Sequence, residues 1–388
     1  MPKVAVVTGS RAEYGLLYWI LKEMEQTEAI ELQLIVTGMH LAPEFGMTIN
    51  TILEDGFKVA GKIDMQLSSA SGQGIARSTG IGIIGLAEAF ERLKPDILLI
   101  LGDRYEIFAA ASAAMCMGIP IAHISGGEST EGAIDEQIRH AITKMAHIHF
   151  PANDFYANRI HKMGEESWRI FCVGDPAIEN ISKAALLSCE ELSELLGMDL
   201  SKETILITYH PVTNERDSLK YQMDELLGVL NKFSCQKVFT YPNADEGSSY
   251  IISRIVDFAS GDRNSKVFKN LGMTNYLSML KHAKAVVGNS SSGIVEAPSF
   301  CIPVVNIGNR QQGRLQASNI IDCTNEADSI EKALWKALYD ESFIKSLKDT
   351  VNPYGGGNTS KQIVRILAGI EYDKKLLVKK LAYEDDFK

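Results

Sequence analysis

Short, near-continuous apolar runs alternate with amphipathic helical segments along this chain, and the alternation occurs twice. In the first half, β-rich runs fall at residues 4–7, 32–37, 59–65, 97–101, 119–124, 147–151 and 170–173. Helical periods lie at 14–25, 74–92, 106–117 and 136–145. A strand that is apolar throughout must be covered on both faces, which is the situation of a parallel sheet sandwiched between helices. After Gly174-Asp175-Pro176 the pattern restarts with a polar helical stretch at 178–200. Strands follow at 205–209, 237–241, 266–268, 285–287 and 304–307, with helices at 219–233, 249–258, 275–282 and 329–339. The chain therefore reads as α/β, with two doubly wound, Rossmann-like domains facing a cleft. The first spans 1–175 and the second 176–358; a segment at 359–388, helical over 359–372, is expected to pack back on the first domain. A length of 388 residues suits two or three domains of roughly 150 residues each.

Charge narrows the function. The formal net charge is −10, which argues against sequence-independent nucleic-acid binding, since that needs clustered Lys and Arg. Phosphate recognition stays open through local backbone N–H groups and a few cations. The six cysteines form no CxxC pair and several sit in apolar runs. They are expected to be buried thiols in a reducing compartment, with no disulfide framework or metal site. The N-terminus, MPKVAVVTGS, reads as a strand and a turn, without the apolar core and cleavage site of a signal peptide. No apolar run approaches the ~18 residues of a membrane span. A cytoplasmic location is the expectation.

In open α/β sheets, ligands bind at the carboxyl ends of the strands, so the turns there matter most. The first is Thr8-Gly9-Ser10-Arg11-Ala12-Glu13-Tyr14-Gly15. Arg11 stands where a dinucleotide fingerprint needs glycine, which argues against NAD(P) or FAD. Arg11 is suited to a phosphate or, alternatively, to a surface pair with Glu13. Next comes Gly102-Asp103-Arg104, where Asp103 is either an acid aimed at the cleft or a helix N-cap. His123-Ile124-Ser125-Gly126-Gly127-Glu128 follows, then Asp135-Glu136-Gln137-Ile138-Arg139-His140. Clustered carboxylates push their pKa values apart and so supply both an acid and a base. The bland reading of Asp135 and Glu136 is a helix first turn, where acids favour the dipole. His147 and His149 alternate in a strand, so at least one is expected to be a packed core histidine. No HExxH or comparable zinc spacing occurs.

The second domain offers Thr208-Tyr209-His210-Pro211 at the end of its first strand, with the proline stopping the strand behind His210. Gly288-Asn289-Ser290-Ser291-Ser292-Gly293 has the form of a phosphate cradle opening a helix, but lacks the GK[ST] of a Walker loop. Glu296, one turn on, suits a ribose hydroxyl better than a phosphate. Gly308-Asn309-Arg310-Gln311-Gln312-Gly313-Arg314 carries two further cations suited to an anion.

Together TGSRAEYG, LGDRYE, HISGGE, DEQIRHAITKMAHIHF, YHPVT, TYPNAD, GNSSSGIVEAP and GNRQQGR resemble the UDP-N-acetylglucosamine 2-epimerase family, and more closely its hydrolysing branch, over nearly the whole chain. The resemblance implies a glycosyltransferase-B fold. It implies UDP on the second domain, contacted by His210, Ser290, Ser291 and Glu296, with Arg11 and Arg310 near the phosphates. Asn243 in TYPNAD is a further sugar or nucleotide contact. The acid–base groups map onto Asp103 and onto the HISGGE to DEQIRH region, giving Glu128, Asp135 and Glu136 as catalytic candidates beside His210, and His123 and Arg139 as substrate contacts. Some relatives carry Glu two residues after the motif histidine, where this chain has Ser125, which leaves the division of labour to Glu128 or Glu136.

The implied reaction converts UDP-N-acetylglucosamine to UDP and N-acetylmannosamine, for sialic-acid-type sugar synthesis, without metal or other cofactor. A base takes the proton at sugar carbon 2 as UDP leaves carbon 1, and water then adds to the glycal with reprotonation on the other face. Alternatives are the same chemistry on UDP-N,N'-diacetylbacillosamine, of the legionaminic acid pathway, and a non-hydrolysing epimerase that retains UDP. More distant are a glycosyltransferase needing an acceptor and a non-catalytic UDP-sugar sensor. A homo-oligomer, dimer or tetramer, is expected by resemblance.

Overall fold

The structure is a computed structural model and describes residues 1–67, 72–130, 134–242 and 247–382. The chain divides into two compact units: Met1–Glu128, Ile134–Asn180 and Tyr354–Lys388 make the first, Ser129–Ala133 and Ile181–Pro353 the second.

The first unit is built on six strands: β1 Lys3–Thr8, β2 Glu31–Thr37, β3 Val59–Ile63, β4 Ile97–Leu101, β5 Ile121–Ile124 and β6 Ile148–Phe150. They lie in the order β3-β2-β1-β4-β5-β6 with every pair parallel. The apolar runs explain this arrangement. Val4 and Val6 face one core with Leu34, Leu99 and Ile124, while Ala5 and Val7 face another with Ile35, Leu98 and Ile100. Helix Arg11–Gln26 covers the first face through Leu17, Leu21 and Met24, and Ile363, Val364 and Leu367 of helix Thr359–Gly369 join the same core. Helices Gly72–Leu93 and Tyr105–Cys116 cover the second face. The returning segment is fastened inside this unit: Glu179 accepts from the backbone N–H and hydroxyl of Ser360 at 2.7 and 2.5 Å. The Tyr156 and Tyr354 hydroxyls lie 3.0 Å apart.

The second unit repeats the plan with β7 Thr204–Thr208, β8 Gln236–Thr240, β9 Ser265–Phe268, β10 Ala285–Gly288, β11 Val304–Ile307 and β12 Ile320–Cys323. Their order, β12-β11-β10-β7-β8-β9, is again fully parallel. Both sheets are thus doubly wound in the same sense, with the strand order reversing between β1 and β4 and between β7 and β10.

Some expectations need correction. β12 was not anticipated: it is an edge strand with no residue buried, so it lacks the apolar signal of a covered one. Residues 170–173 make only a single bridge, His149 to Ile170, instead of a strand. The helical stretch 178–200 is two helices, Pro176–Lys183 and Cys189–Leu196, the second opened by a capping box in which Ser188 and Glu191 bond each other's backbone. Of the six cysteines, only Cys235 is buried, and Cys116 and Cys172 are exposed. Among the described residues, no helix is long and apolar enough to cross a membrane.

Candidate functional site

In the first unit, the turns after β1, β4 and β5 lie on one edge of the sheet. Ser10 caps helix Arg11–Gln26, and its partner in the capping box is Glu13. The Glu13 carboxylate turns inward, accepting from the Gly9 and Ser10 N–H groups at 2.7 and 3.2 Å. Glu13 is therefore not the surface partner of Arg11, which is left exposed at the first helical position.

Glu13 has company that the sequence did not reveal. Glu106 is fully buried and holds Arg104 through Nε at 3.2 Å and Nη2 at 3.3 Å. A side chain on Gly9 or on Gly38 (φ +57°) would meet Glu106 within 2.8–2.9 Å, so these glycines let the turn close over the carboxylate. Burial, with the charge of Glu106 beside it, pushes the Glu13 carboxyl up to about 8. Burial works against the charge of Arg104, but Glu106 and Glu13 more than offset it and raise its pKa. The available signal was the S-x-x-E spacing of the first turn; the pairing with Glu106 is tertiary.

Asp103 follows Gly102, whose φ of +80° turns the chain at the end of β4. The N-cap of helix Tyr105–Cys116 is Arg104, with no side-chain cap bond, so the capping alternative for Asp103 falls away. Asp103 instead pairs with Arg139 Nη2, joining two motifs separated by 36 positions. Arg139 is almost fully buried, and the Asp103 side chain is 19% exposed. Asp135 and Glu136 stand in the first turn of helix Ile134–Met145, and Glu136 Oε1 lies 3.0 Å from His140 Nε2.

His123 is fully buried, with Nε2 2.8 Å from the Gly102 carbonyl and Nδ1 3.4 Å from Thr143 Oγ1. Burial pushes it down to about 3, so at neutral pH the imidazole is uncharged and Nε2–H donates to Gly102. It holds the turn that carries Asp103. The following turn is left-handed at Ser125 (φ +62°) and Gly127 (φ +76°), a conformation costly for serine. It delivers Glu128, which is buried.

In the second unit, the ends of β7 and β10 meet closely. A Cβ on Gly288 (φ +133°) would lie 2.0 Å from the Thr208 carbonyl oxygen, so no other residue fits there. Asn289, buried and not singled out from the sequence, binds the His210 backbone in both directions, accepting from its N–H at 2.6 Å and donating to its carbonyl at 2.8 Å. The Asn289 carbonyl in turn accepts from Arg310 Nη1 and Gln311 Nε2, both at 2.9 Å. His210, Asn289 and Arg310 are thus one construction. Burial, and then the charge of Arg310, hold the His210 imidazole well below its ordinary value, so it is neutral at pH 7.

Ser290 caps helix Ser291–Val295 by accepting from the Ser292 N–H at 3.4 Å, and Tyr276 donates to Ser292 Oγ at 2.9 Å. Ser290 and Ser291 are half-buried, and burial raises the pKa of Glu296. Asn243 lies outside the described residues. Among the described residues, no group of three or more His, Cys, Asp or Glu could hold a metal ion.

The expected residues thus fall into two groups. Asp103, His123, Glu128, Asp135, Glu136 and Arg139, with Arg11, belong to the first unit. His210, Ser290, Ser291, Glu296 and Arg310 belong to the second. The first group is rich in carboxylates. The second combines a cation, a neutral imidazole, hydroxyls and a short helix opening, the elements of a diphosphate and ribose contact.

A family model described as UDP-N-acetylglucosamine 2-epimerase matches residues 22–368 of this chain. The GDP/UDP-N,N'-diacetylbacillosamine 2-epimerase (hydrolyzing) of Campylobacter jejuni is 41% identical over 336 residues, covering 86% of this chain and 87% of that one. The UDP-N,N'-diacetylbacillosamine 2-epimerase (hydrolyzing) of Legionella pneumophila is 36% identical over 381 residues, 98% and 99% of the two chains. The crystal structure of UDP-GlcNAc 2-epimerase from Neisseria meningitidis bound to UDP-GlcNAc superposes with a TM-score of 0.82 at 20% identity, over 94% of this chain and 99% of that one. That likeness is one of fold: two Rossmann-like domains of the glycosyltransferase-B type.

Proposed function

Because the chain belongs to the UDP-N-acetylglucosamine 2-epimerase family, we propose that it is a hydrolysing 2-epimerase whose substrate is UDP-N,N'-diacetylbacillosamine, released as UDP and the free 2-epimeric sugar. The likeness to the two hydrolysing relatives named for that sugar carries this reading. It moves the expected substrate away from UDP-N-acetylglucosamine, with the reaction type unchanged.

The roles follow from the chemistry of each unit. In the second, Ser290, Ser291 and the helix opening behind them take the diphosphate, with Arg310 supplying charge. Glu296 takes a ribose hydroxyl. His210, neutral at pH 7, serves as a hydrogen-bond partner of the leaving group and not as a cation. Arg11, exposed at the first helical position, adds a charge for the phosphates. In the first unit, Asp103, Glu128, Asp135 and Glu136 share the proton transfers. Arg139 orients Asp103, and His123 holds the turn beneath it.

A carboxylate takes the carbon 2 proton, the carbon 1–oxygen bond breaks with its electron pair leaving on UDP, and a glycal forms. Water then adds its hydroxyl at carbon 1 while a carboxylic acid protonates carbon 2 on the opposite face. The test offers both UDP-sugars to the purified protein and identifies the products by NMR. The reading expects faster turnover of the diacetamido sugar, with free UDP. Preferential turnover of UDP-N-acetylglucosamine would return the assignment to that substrate, and a product still attached to UDP would exclude hydrolysis.

A further inference from the structure

Helix Ile134–Met145 carries Asp135, Glu136 and Arg139, and its carboxyl end is held by a residue more than 230 positions away. The last carbonyls of a helix have no partner within it. Here Lys379 Nζ donates to the Lys144 carbonyl at 2.7 Å and to the Ala146 carbonyl at 2.6 Å. A cation at this end also favours the helix dipole.

Lys379 is itself fixed from two sides. Its ammonium lies 2.8 Å from Oε2 of Glu165, a fully buried carboxylate that also accepts from Lys144 at 2.5 Å and faces His149 Nε2 at 3.1 Å. Burial opposes that charge, but the three donors more than offset it and hold the Glu165 carboxyl at about 2. The backbone leading to Lys379 is gripped by Arg169, which is fully buried. Arg169 donates to the carbonyls of Lys375, Leu376 and Val378 at 3.1, 2.8 and 2.9 Å, and to that of His147 at 3.2 Å. The same short helix, Lys374–Leu377, also buries Leu376 in the core of this unit.

We propose that Lys379 is a positioning residue, delivered by the Arg169-held tail to set the helix that bears Asp135, Glu136 and Arg139 for proton transfer. Its kinetic arm rests on the hydrolysing epimerase reading; its structural arm does not. Lys379→Met removes the ammonium and keeps the apolar stem, and Lys379→Arg retains a cation able to reach the same carbonyls.

For Lys379→Met, kcat is expected to fall about tenfold, in line with the sensitivity of reacting geometry to small displacements. KM is expected to stay within about twofold, because the nucleotide contacts lie on other elements. Amide hydrogen exchange at residues 142–147 should quicken, and Lys379→Arg should restore both readouts. A lower melting temperature with unchanged kcat would mean the tail is structural only and would overturn the proposal, as would unchanged exchange. If the wild type released no UDP from any UDP-sugar, the epimerase reading would fail, while the exchange comparison would still decide whether Lys379 holds the helix.

Discussion

Acidification from pH 7 to pH 5 is expected to destabilise the first unit by about 3 kcal/mol, chiefly through three buried histidines. His40 bridges Thr8 Oγ1 at 3.1 Å and Thr48 Oγ1 at 2.7 Å and is held by burial at about 4. His147 accepts from the Ile121 N–H at 3.1 Å and is also held by burial at about 4, and His123 at about 3. A depressed histidine contributes stability that is complete above its ordinary value of 6.5 and is lost as pH falls toward its folded value. Each therefore loses about 2 kcal/mol between pH 7 and 5, or roughly 5–6 together. Glu13, raised to about 8, has the opposite sign: its contribution is complete below the ordinary value of 4.5 and is lost as pH rises through 8. Over the same interval it returns about 2–3 kcal/mol. His149, also depressed by burial, adds to the loss, and the contribution of Glu165 is spent mostly below pH 5. The assay is urea unfolding at constant ionic strength in a Trp335→Phe background, so that Trp19 and Trp168 report the first unit. His40→Gln should lower stability at pH 7 but cut the loss from about 3 to about 1 kcal/mol. Stability that stays flat or rises from pH 7 to 5 would refute the reasoning.

Two further outcomes concern the active groups. Asp103→Asn should reduce UDP release by about 10²–10⁴-fold, the usual weight of a positioned acid or base, with UDP affinity measured by calorimetry within about threefold, because the residues proposed to hold the nucleotide lie on other elements. Wild-type turnover in that variant would remove Asp103 from the proton transfers. Gly288→Ala must move the ends of β7 and β10 apart, since its Cβ would lie 2.0 Å from the Thr208 oxygen. UDP affinity should fall by about 10–100-fold, the weight of one lost hydrogen bond to a charged group, and unchanged binding would show that the Ser290–Ser291 loop does not hold the nucleotide.

The parts of the fold that came through in the sequence are those in which every residue of a strand is covered. The runs 4–7, 97–101 and 304–307 have no polar alternation because both faces are buried, and the strand-turn-helix rhythm then leaves few alternatives to two doubly wound sheets. The elements that escaped are the ones that the core does not specify. β12 lies at an edge with its side chains only partly covered, so its four residues carry no strand period. The strand expected at 170–173 sits beyond β6, where the ladder has already dwindled to one bridge.

At the site, residue types after each strand could be read because turns there are local. Their partners could not. The pairing of Asp103 with Arg139, the carboxylate Glu106 beneath Gly9, and the hold of Asn289 on His210 all join motifs brought together only by sheet order. Burial of His123 likewise depends on the packing of Gly126 and Thr143 around it, and its contact with the Gly102 carbonyl supports the Asp103 turn.

The most direct measurement runs the reaction to completion in deuterated water, quantifies free UDP and locates deuterium in the sugar by NMR. Elimination to a glycal followed by hydration requires one deuterium at carbon 2 of the inverted sugar for each UDP released. UDP liberated with carbon 2 still carrying its original hydrogen would contradict the mechanism and leave simple hydrolysis in its place.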